Sequence, residues 1–279
     1  MSKGVPQGSG LSSLLFNIFV RELPNSCTSE VVQFADDVTS SEASKDLNEV
    51  ITVLGASFAS IAEFCADKGL SVNANKTQLV VFKQPARRLP PECEIVIEDV
   101  SIKPAPFVKL LGVHLDQHLT MTTHIDKTVK KCHGVLGALS KASSVLSCKL
   151  VKLAYMSLVR SHLEYSSCIL SLASSTQPHK LDIVQKMGAR LNLGAPRFAH
   201  SEPLLSSLQL ALLSERRTEH MIKFMTAILE GQGHPAFSTF FTEKDISSIE
   251  CGFTPRTAFG RKTFQVRGMT DYNNWLAQP

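Results

Sequence analysis

The sequence has no Cys-x-x-Cys pair: its seven cysteines stand singly at positions 27, 65, 93, 132, 148, 168 and 251. That spacing argues against a zinc knuckle and gives no disulfide framework, so reduced thiols are the expectation. No basic start followed by an apolar core and a small-residue cleavage site is found at the N-terminus, and no apolar run reads as long enough to span a bilayer. These absences lead to the expectation of an intracellular protein of nucleus or cytoplasm with no membrane partner. Repeats and low-complexity blocks are lacking as well. Net charge is only +4 over 279 residues, so its distribution says more than its sum. What is plentiful is apolar sequence, 43% of the chain, enough for a packed core and more than one lobe.

Two adjacent carboxylates organise the rest. In Val31-Val32-Gln33-Phe34-Ala35-Asp36-Asp37-Val38-Thr39, β-forming residues flank Asp36 and Asp37, which predicts a strand, a tight turn and a second strand with the acids at the turn. An Asp pair in a turn is ordinarily a backbone-capping device. The alternative is a metal site, since a hard cation such as Mg²⁺ takes carboxylate oxygens and two-metal phosphoryl transfer needs such ligands.

About thirty residues upstream stands Gly4-Val5-Pro6-Gln7-Gly8-Ser9-Gly10-Leu11-Ser12-Ser13-Leu14-Leu15-Phe16-Asn17. This stretch, followed in order by Phe34-Ala35-Asp36-Asp37, resembles the reverse transcriptases of non-LTR retrotransposons. There, a Gly-Val-Pro-Gln-Gly-Ser stretch opens a helix and an aromatic-Ala-Asp-Asp hairpin follows in the palm. The resemblance implies that Asp36 and Asp37 are catalytic metal ligands for Mg²⁺ (or Mn²⁺). It places Gln7, Gly8 and Phe34 near template and incoming nucleotide.

Further along, Leu11, Leu14, Leu15, Ile18 and Phe19 predict a short helix with one buried face, which Ser9 or Ser12 can cap and Pro24 limits. Leu47, Val50, Ile51, Leu54, Phe58, Ile61, Ala62 and Cys65 trace a long amphipathic helix closed by Lys68-Gly69. Strands are expected at 70–73 and 79–82, around Ala74-Asn75-Lys76-Thr77. That run is similar to the family's Leu-x-x-Asn-x-x-Lys-Thr, which makes Lys76 a candidate proton donor to pyrophosphate, with a solvated loop lysine an equal alternative. Residues 94–102 read as a hairpin turning at Glu98-Asp99. The strand pair at 107–116 looks like the family's primer-gripping segment, with Leu111, Gly112 and Val113 against the primer 3′ end. His114 and His118 lack the Glu of a His-Glu-x-x-His helix and are given no metal role.

From Lys127 to Arg160 there are six lysines and one arginine and no Asp or Glu. If residues from about Thr122 to Lys141 form a helix, Ile125, Val129, Cys132, Leu136 and Leu139 fall on one side and Lys127, Lys130, Lys131 and Lys141 on the other. An unbalanced cationic stripe opposite a core stripe is the footprint of a phosphate-tracking surface, whereas solvated faces usually mix signs. Gly134 and Gly137 weaken the expectation of one unbroken helix. In the family this region is the helical thumb. Leu150, Leu153, Ala154, Ser157 and Leu158 predict the next helix. Leu163-Glu164-Tyr165-Ser166 and Gln185 to Arg190 resemble further family segments, a helix is expected around Leu204 to Glu230, and Gly260 to Phe264 with Trp275 resembles a family tail.

The expected fold is α+β: an incomplete polymerase palm, an antiparallel sheet backed by helices, then a helical thumb and a mostly helical C-terminal region. The boundaries are 1–85 for the partial palm, 86–118 for the hairpins with the primer-grip-like segment, 119–200 for the thumb and 201–279 for the C-terminal region and tail. Family members carry fingers and a first catalytic aspartate ahead of the Gly-Val-Pro-Gln-Gly stretch, where this sequence has only Met1, Ser2 and Lys3. The resemblance therefore implies an RNA-directed DNA polymerase segment acting on RNA template, DNA primer and deoxynucleotide triphosphates, with an incomplete metal site and no polymerase activity alone. A non-catalytic nucleic-acid-binding remnant using the basic thumb is the alternative.

Overall fold

A computed structural model describes residues 4–6, 8–91, 93–97, 100–174, 176–237, 241–245, 248–251 and 264–277. Gln7, the Glu98-Asp99 turn and the Gly260 to Thr263 tail segment lie outside the described residues. The chain forms two compact units, Met1–Val108 and Lys109–Pro279.

In the first unit, α1 (Ser12–Val20) precedes a 3-10 turn at Leu23–Ser26 and the hairpin of β1 (Glu30–Phe34) with β2 (Asp37–Ser41). Helix α2 (Leu47–Asp67) starts where the Asp46 side chain accepts from the Asn48 N–H at 2.9 Å, satisfying one of the orphan donors of its first turn. A second hairpin pairs β3 (Ile95–Ile97) with β4 (Val100–Ile102). The core is small: Leu23, Ile61 and Cys65 with Cys27, Val31, Phe64 and Val72 packed against them.

Three expectations need correction in this unit. The apolar stripe of α1 is exposed, with Leu11, Leu14, Leu15 and Ile18 all more than half accessible and only Val20 buried. Periodicity specified a face without specifying anything to cover it. Residues 70–73 and 79–82 are not strands, because Leu79 makes only an isolated bridge to Pro104 and no neighbouring ladder completes the pairing. Finally, α2 is by length and composition alone long and apolar enough to cross a bilayer, although core helices of globular proteins pass the same test and α2 buries Ser57, Ile61 and Cys65.

Strand β5 (Phe107–Leu110) leads the chain into the second unit and pairs with β6 (Val113–Asp116). Helix α3 (Thr122–Ala142) runs unbroken through Gly134 and Gly137. It packs on α6 (Pro178–Asn192) and on a continuous helical stretch made of α4 (Cys148–Tyr155), a π turn (Met156–Arg160) and α5 (Ser161–Glu164). In that stretch the buried stripe is Val151, Tyr155, Val159 and Leu163, whereas Leu150, Leu153 and Leu158 face solvent.

The single helix expected from Leu204 to Glu230 is two: α7 (Ser201–Ser207) and α8 (Leu213–Leu229). Between them Gln209 takes φ 52°, while Gln209 N–H donates to Ser206 O and Leu210 N–H to Leu205 O. That crossed pair is a Schellman closure made without glycine, and it turns Leu205, Leu208, Leu210 and Leu213 all into the core. The hairpin of β7 (Phe241–Asp245) with β8 (Ser248–Cys251) and helix α9 (Phe264–Leu276) follow, with Met221, Met225, Ile228 and Phe241 as a second cluster. Mixed α+β character holds, but the antiparallel sheet is present among the described residues only as four separate two-stranded hairpins.

Candidate functional site

The acidic hairpin forms where the sequence places it. Phe34 pairs with Asp37, leaving Ala35 and Asp36 as a two-residue loop. Ala35 alone of the two has positive φ, 54°, the sign pattern of a type II′ turn, in which glycine is the preferred first residue. Because paired residues share a face, Asp37 stands with Phe34, Val32 and Thr39 on one side of the ribbon. Val32, Phe34 and Asp37 are exposed there, whereas Val31 on the other side reaches the core.

The root of the hairpin is held by a residue that sequence reasoning missed. Ser57, fully buried on α2, accepts from the Ser29 N–H at 2.9 Å and lies 2.9 Å from the Thr28 hydroxyl, while Ser29 Oγ meets Ser40 Oγ across the two strands. A serine on an apolar helix stripe is a weak signal; only the long-range contact reveals its work.

Upstream, Gly8 has φ 87° and open space where a Cβ would stand, and the turn is closed by hydrogen bonds from Ser9 N–H and the Ser12 hydroxyl to Pro6 O. Lys76 ends a 3-10 turn, Ala74–Lys76, whose Asn73 side chain accepts from the Lys76 N–H at 3.2 Å, and its own side chain is exposed.

In the second unit, Leu111 and Gly112 form the two-residue loop between β5 and β6, both with positive φ, 46° and 85°. Tyr165 secures it. Its hydroxyl donates to Leu111 O at 2.5 Å, and its ring lies where a Gly112 Cβ would be 3.3 Å away. Glu164 beside it pairs with Arg160 at 2.5 Å and Arg216 at 3.1 Å. Burial alone would raise the Glu164 carboxyl, but the hydrogen bonds and charge of Arg216 and Arg160 outweigh it and hold the group below the usual carboxylate range. On α3, Lys127, Lys130, Lys131 and Lys141 are all exposed, opposite the buried Ile125, Cys132, Leu136 and Leu139. The charge segregation expected from spacing is therefore present on the folded helix.

Residues 1–115, which contain the acidic hairpin and the Gly8 loop, match the reverse transcriptase (RNA-dependent DNA polymerase) family. Similarity to non-LTR retrotransposon polymerases extends further along the chain. It is 27% identical over 236 residues, 80% of this chain, to a probable RNA-directed DNA polymerase from transposon X-element of Drosophila melanogaster. It is 24% identical over 237 residues, again 80% of this chain, to one from transposon BS of the same organism. The RNA-directed DNA polymerase from mobile element jockey of Drosophila funebris is 26% identical over 236 residues, 79% of this chain. The chain spans about a quarter of the length of these relatives, 25% to 26%. No solved structure matches it.

Reverse transcriptases generally use divalent metals, and the donor set here is partial. Asp36 at the loop and Asp37 at the strand start are not joined by a third donor, since no group of three or more His, Cys, Asp or Glu able to hold a metal is found among the described residues. Two exposed carboxylates of this kind do not complete the near-octahedral oxygen cage that Mg²⁺ demands.

Proposed function

We propose that the chain is a palm and thumb segment of an RNA-directed DNA polymerase of a non-LTR retrotransposon, whose reaction is template-directed addition of deoxynucleotides to a primer 3′ hydroxyl. The observation that carries this reading is the acidic hairpin with Asp36 and Asp37 at its turn, inside the stretch that matches the reverse transcriptase family. In the complete polymerase Asp36 is a ligand of Mg²⁺ (or Mn²⁺) and Asp37 its helper or a second ligand. Gln7, Gly8 and Phe34 contact template and nucleotide, and Lys76 donates a proton to pyrophosphate unless it is only a solvated loop lysine. Leu111, Gly112 and Val113 lie against the primer end, and the four lysines of α3 hold the backbone of the hybrid.

By itself the chain binds template and primer without extending them, because two carboxylates cannot fix both ions in the geometry that in-line attack needs. Primer extension by the purified chain, with Asp36→Asn as the control, tests this. Incorporation that depends on Asp36 overturns the predicted inactivity. The second reading, a non-catalytic nucleic-acid binder, is favoured by the four exposed lysines of α3, Lys127, Lys130, Lys131 and Lys141. Hybrid binding indifferent to salt would count against it.

A further inference from the structure

Helix α8 carries an open trough of about 840 Å³ along its outer face, lined by none of the α3 lysines. The inner face, with Met221, Met225 and Ile228, packs into the second core cluster, so the helical period turns the trough outward. One row of residues four apart, Ser214, Thr218, Ile222 and Thr226, forms the floor with Ala227 beside it. Apart from Ile222 these side chains are small, which lets a second helix seat closely, ridge into groove. Trp275 of α9 overhangs the trough, and its helix is fixed in place. A Cβ at Gly268, two turns earlier on the same face, would stand 2.6 Å from Met225 Sδ, and Tyr272 packs on the same cluster. The ring of Trp275 nevertheless stays 44% accessible, a rigid apolar anchor of the type that protein interfaces bury.

Charge narrows what can cover this face. Glu215 stands at one end and Glu230 at the other, and among the described residues neither pairs with a cation. Glu215 accepts from Leu212 N–H at 3.2 Å and Glu230 from the Gln232 amide at 2.9 Å. Glu219, between them, is already bridged by Arg216 at 2.5 Å and Lys223 at 2.7 Å. The trough therefore ends in two unmatched negative charges, about 22 Å apart at about 1.5 Å per helical residue. Nucleic-acid phosphates and anionic lipid are repelled by that pattern, and a cationic protein surface is attracted.

We propose that the α8 trough is a docking site for a basic amphipathic helix of a partner protein, its apolar stripe on Ile222, Ala227 and Trp275 and a Lys or Arg near each end meeting Glu215 and Glu230. This site does not depend on the polymerase reading. Small floor residues suit a helix, and the spacing of the two carboxylates asks for cations about four turns apart on the helix that docks. The Trp275 face adds a cation–π contact for a guanidinium. A second copy of this chain is a poor match through its own cationic helix. On α3 the lysines and the apolar stripe lie on opposite sides and the stripe is buried, whereas the docking helix needs both on one side. Trp275 supplies the affinity, and the end carboxylates set orientation and the rate of encounter.

The test uses the intact chain and a synthetic alanine-based helix of about 18 residues, with an arginine near each end about 15 positions apart and leucines on the same face between them. Trp275 is the single tryptophan of the chain, so its emission reports on the site directly. That emission should shift to the blue and saturate, and anisotropy of the labelled peptide should give the same affinity, weakening as salt is raised. Trp275→Ala, read by anisotropy, should weaken binding about tenfold or more, and Glu215→Gln and Glu230→Gln about twofold to fivefold each with a shallower salt dependence. Circular dichroism checks that each variant is folded. A peptide with glutamate in place of both arginines should not bind. Equal binding of the two peptides, or affinity untouched by both glutamate variants, overturns the proposal. Self-association of the chain that Trp275→Ala abolishes, measured by sedimentation, makes a second copy the occupant and overturns it. An RNA–DNA hybrid that shifts the Trp275 emission and displaces the peptide overturns it as well.

Discussion

Gly188 on α6 faces the ring of Tyr155 on α4 at the centre of the larger core, and replacing it with alanine sets two effects against each other. An alanine in a helix interior is favoured over glycine by about 1 kcal/mol. Against that, a Cβ at 188 would lie 2.2, 2.7 and 3.0 Å from three ring atoms of Tyr155, far inside van der Waals contact. The ring has no room to retreat, since Tyr155 is 0% exposed and sits in the cluster with Cys132, Val159 and Val184. Overpacking of a dense core costs about 1–3 kcal/mol, and an approach this close belongs at the top of that range. Gly188→Ala should therefore lose about 2 kcal/mol net, a fall of roughly 4–8 °C in Tm for a unit of this size. Thermal and urea unfolding followed by circular dichroism measure it. Gly134→Ala and Gly137→Ala on α3, where a Cβ meets nothing within 4 Å, are the controls and should each gain up to about 1 kcal/mol. Tyr155→Leu in the Gly188→Ala background should recover part of the loss by removing the ring. A Gly188→Ala chain as stable as the parent, or no recovery in the double variant, refutes the reasoning.

Glu164→Gln leaves Arg160 and Arg216 without their carboxylate in a largely enclosed site and should cost about 3 kcal/mol, read by urea unfolding. Since the Glu164 carboxyl is held low in the folded state, its contribution is present above about pH 4.5 and lost as pH falls below that, so the variant should also flatten the acid limb of the stability curve. The histidines have the same sign at higher pH. With His114, His124 and His162 depressed, the unfolded chain takes up protons first, and stability of the second unit should fall as pH drops below about 6.5, measured as Tm across pH 5–8 without added anion. Tyr165→Phe removes the hydroxyl that holds Leu111 O and should cost about 1 kcal/mol, with the loss visible as faster amide exchange in the Leu111-Gly112 loop.

Elements whose residues alternate or recur with a clean period were legible in the sequence. The run from Val31 to Thr39 has the registry its pattern implies, and α3 divides Ile125, Cys132, Leu136 and Leu139 from its lysines because one helix imposes both stripes. The illegible parts depend on contacts far apart in the chain or on backbone states without a sequence mark. Gln209 ends α7 where a glycine would have been the signal, so two helices read as one. The helix that Leu150, Leu153 and Leu158 announce is present, but those leucines are exposed and the buried face follows Val151, Tyr155, Val159 and Leu163 through a π turn that the spacing does not mark. Ser57 and Tyr165 were invisible as anchors because their partners, Ser29 and Leu111, are 28 and 54 positions away. Recognition of the family motifs located Asp36 and Asp37; the hairpin geometry then showed Asp37 sharing an exposed face with Phe34.

The most direct test of the account is the salt dependence of RNA–DNA hybrid binding by the intact chain and by a variant with Lys127, Lys130, Lys131 and Lys141 changed to glutamine. Each phosphate neutralised contributes roughly 0.9 to the slope of log affinity against log salt on a duplex. The account predicts a steep negative slope for the parent chain, shallower by about 3–4 in the variant, with both proteins equally folded. Identical slopes, or binding that ignores salt, would contradict it.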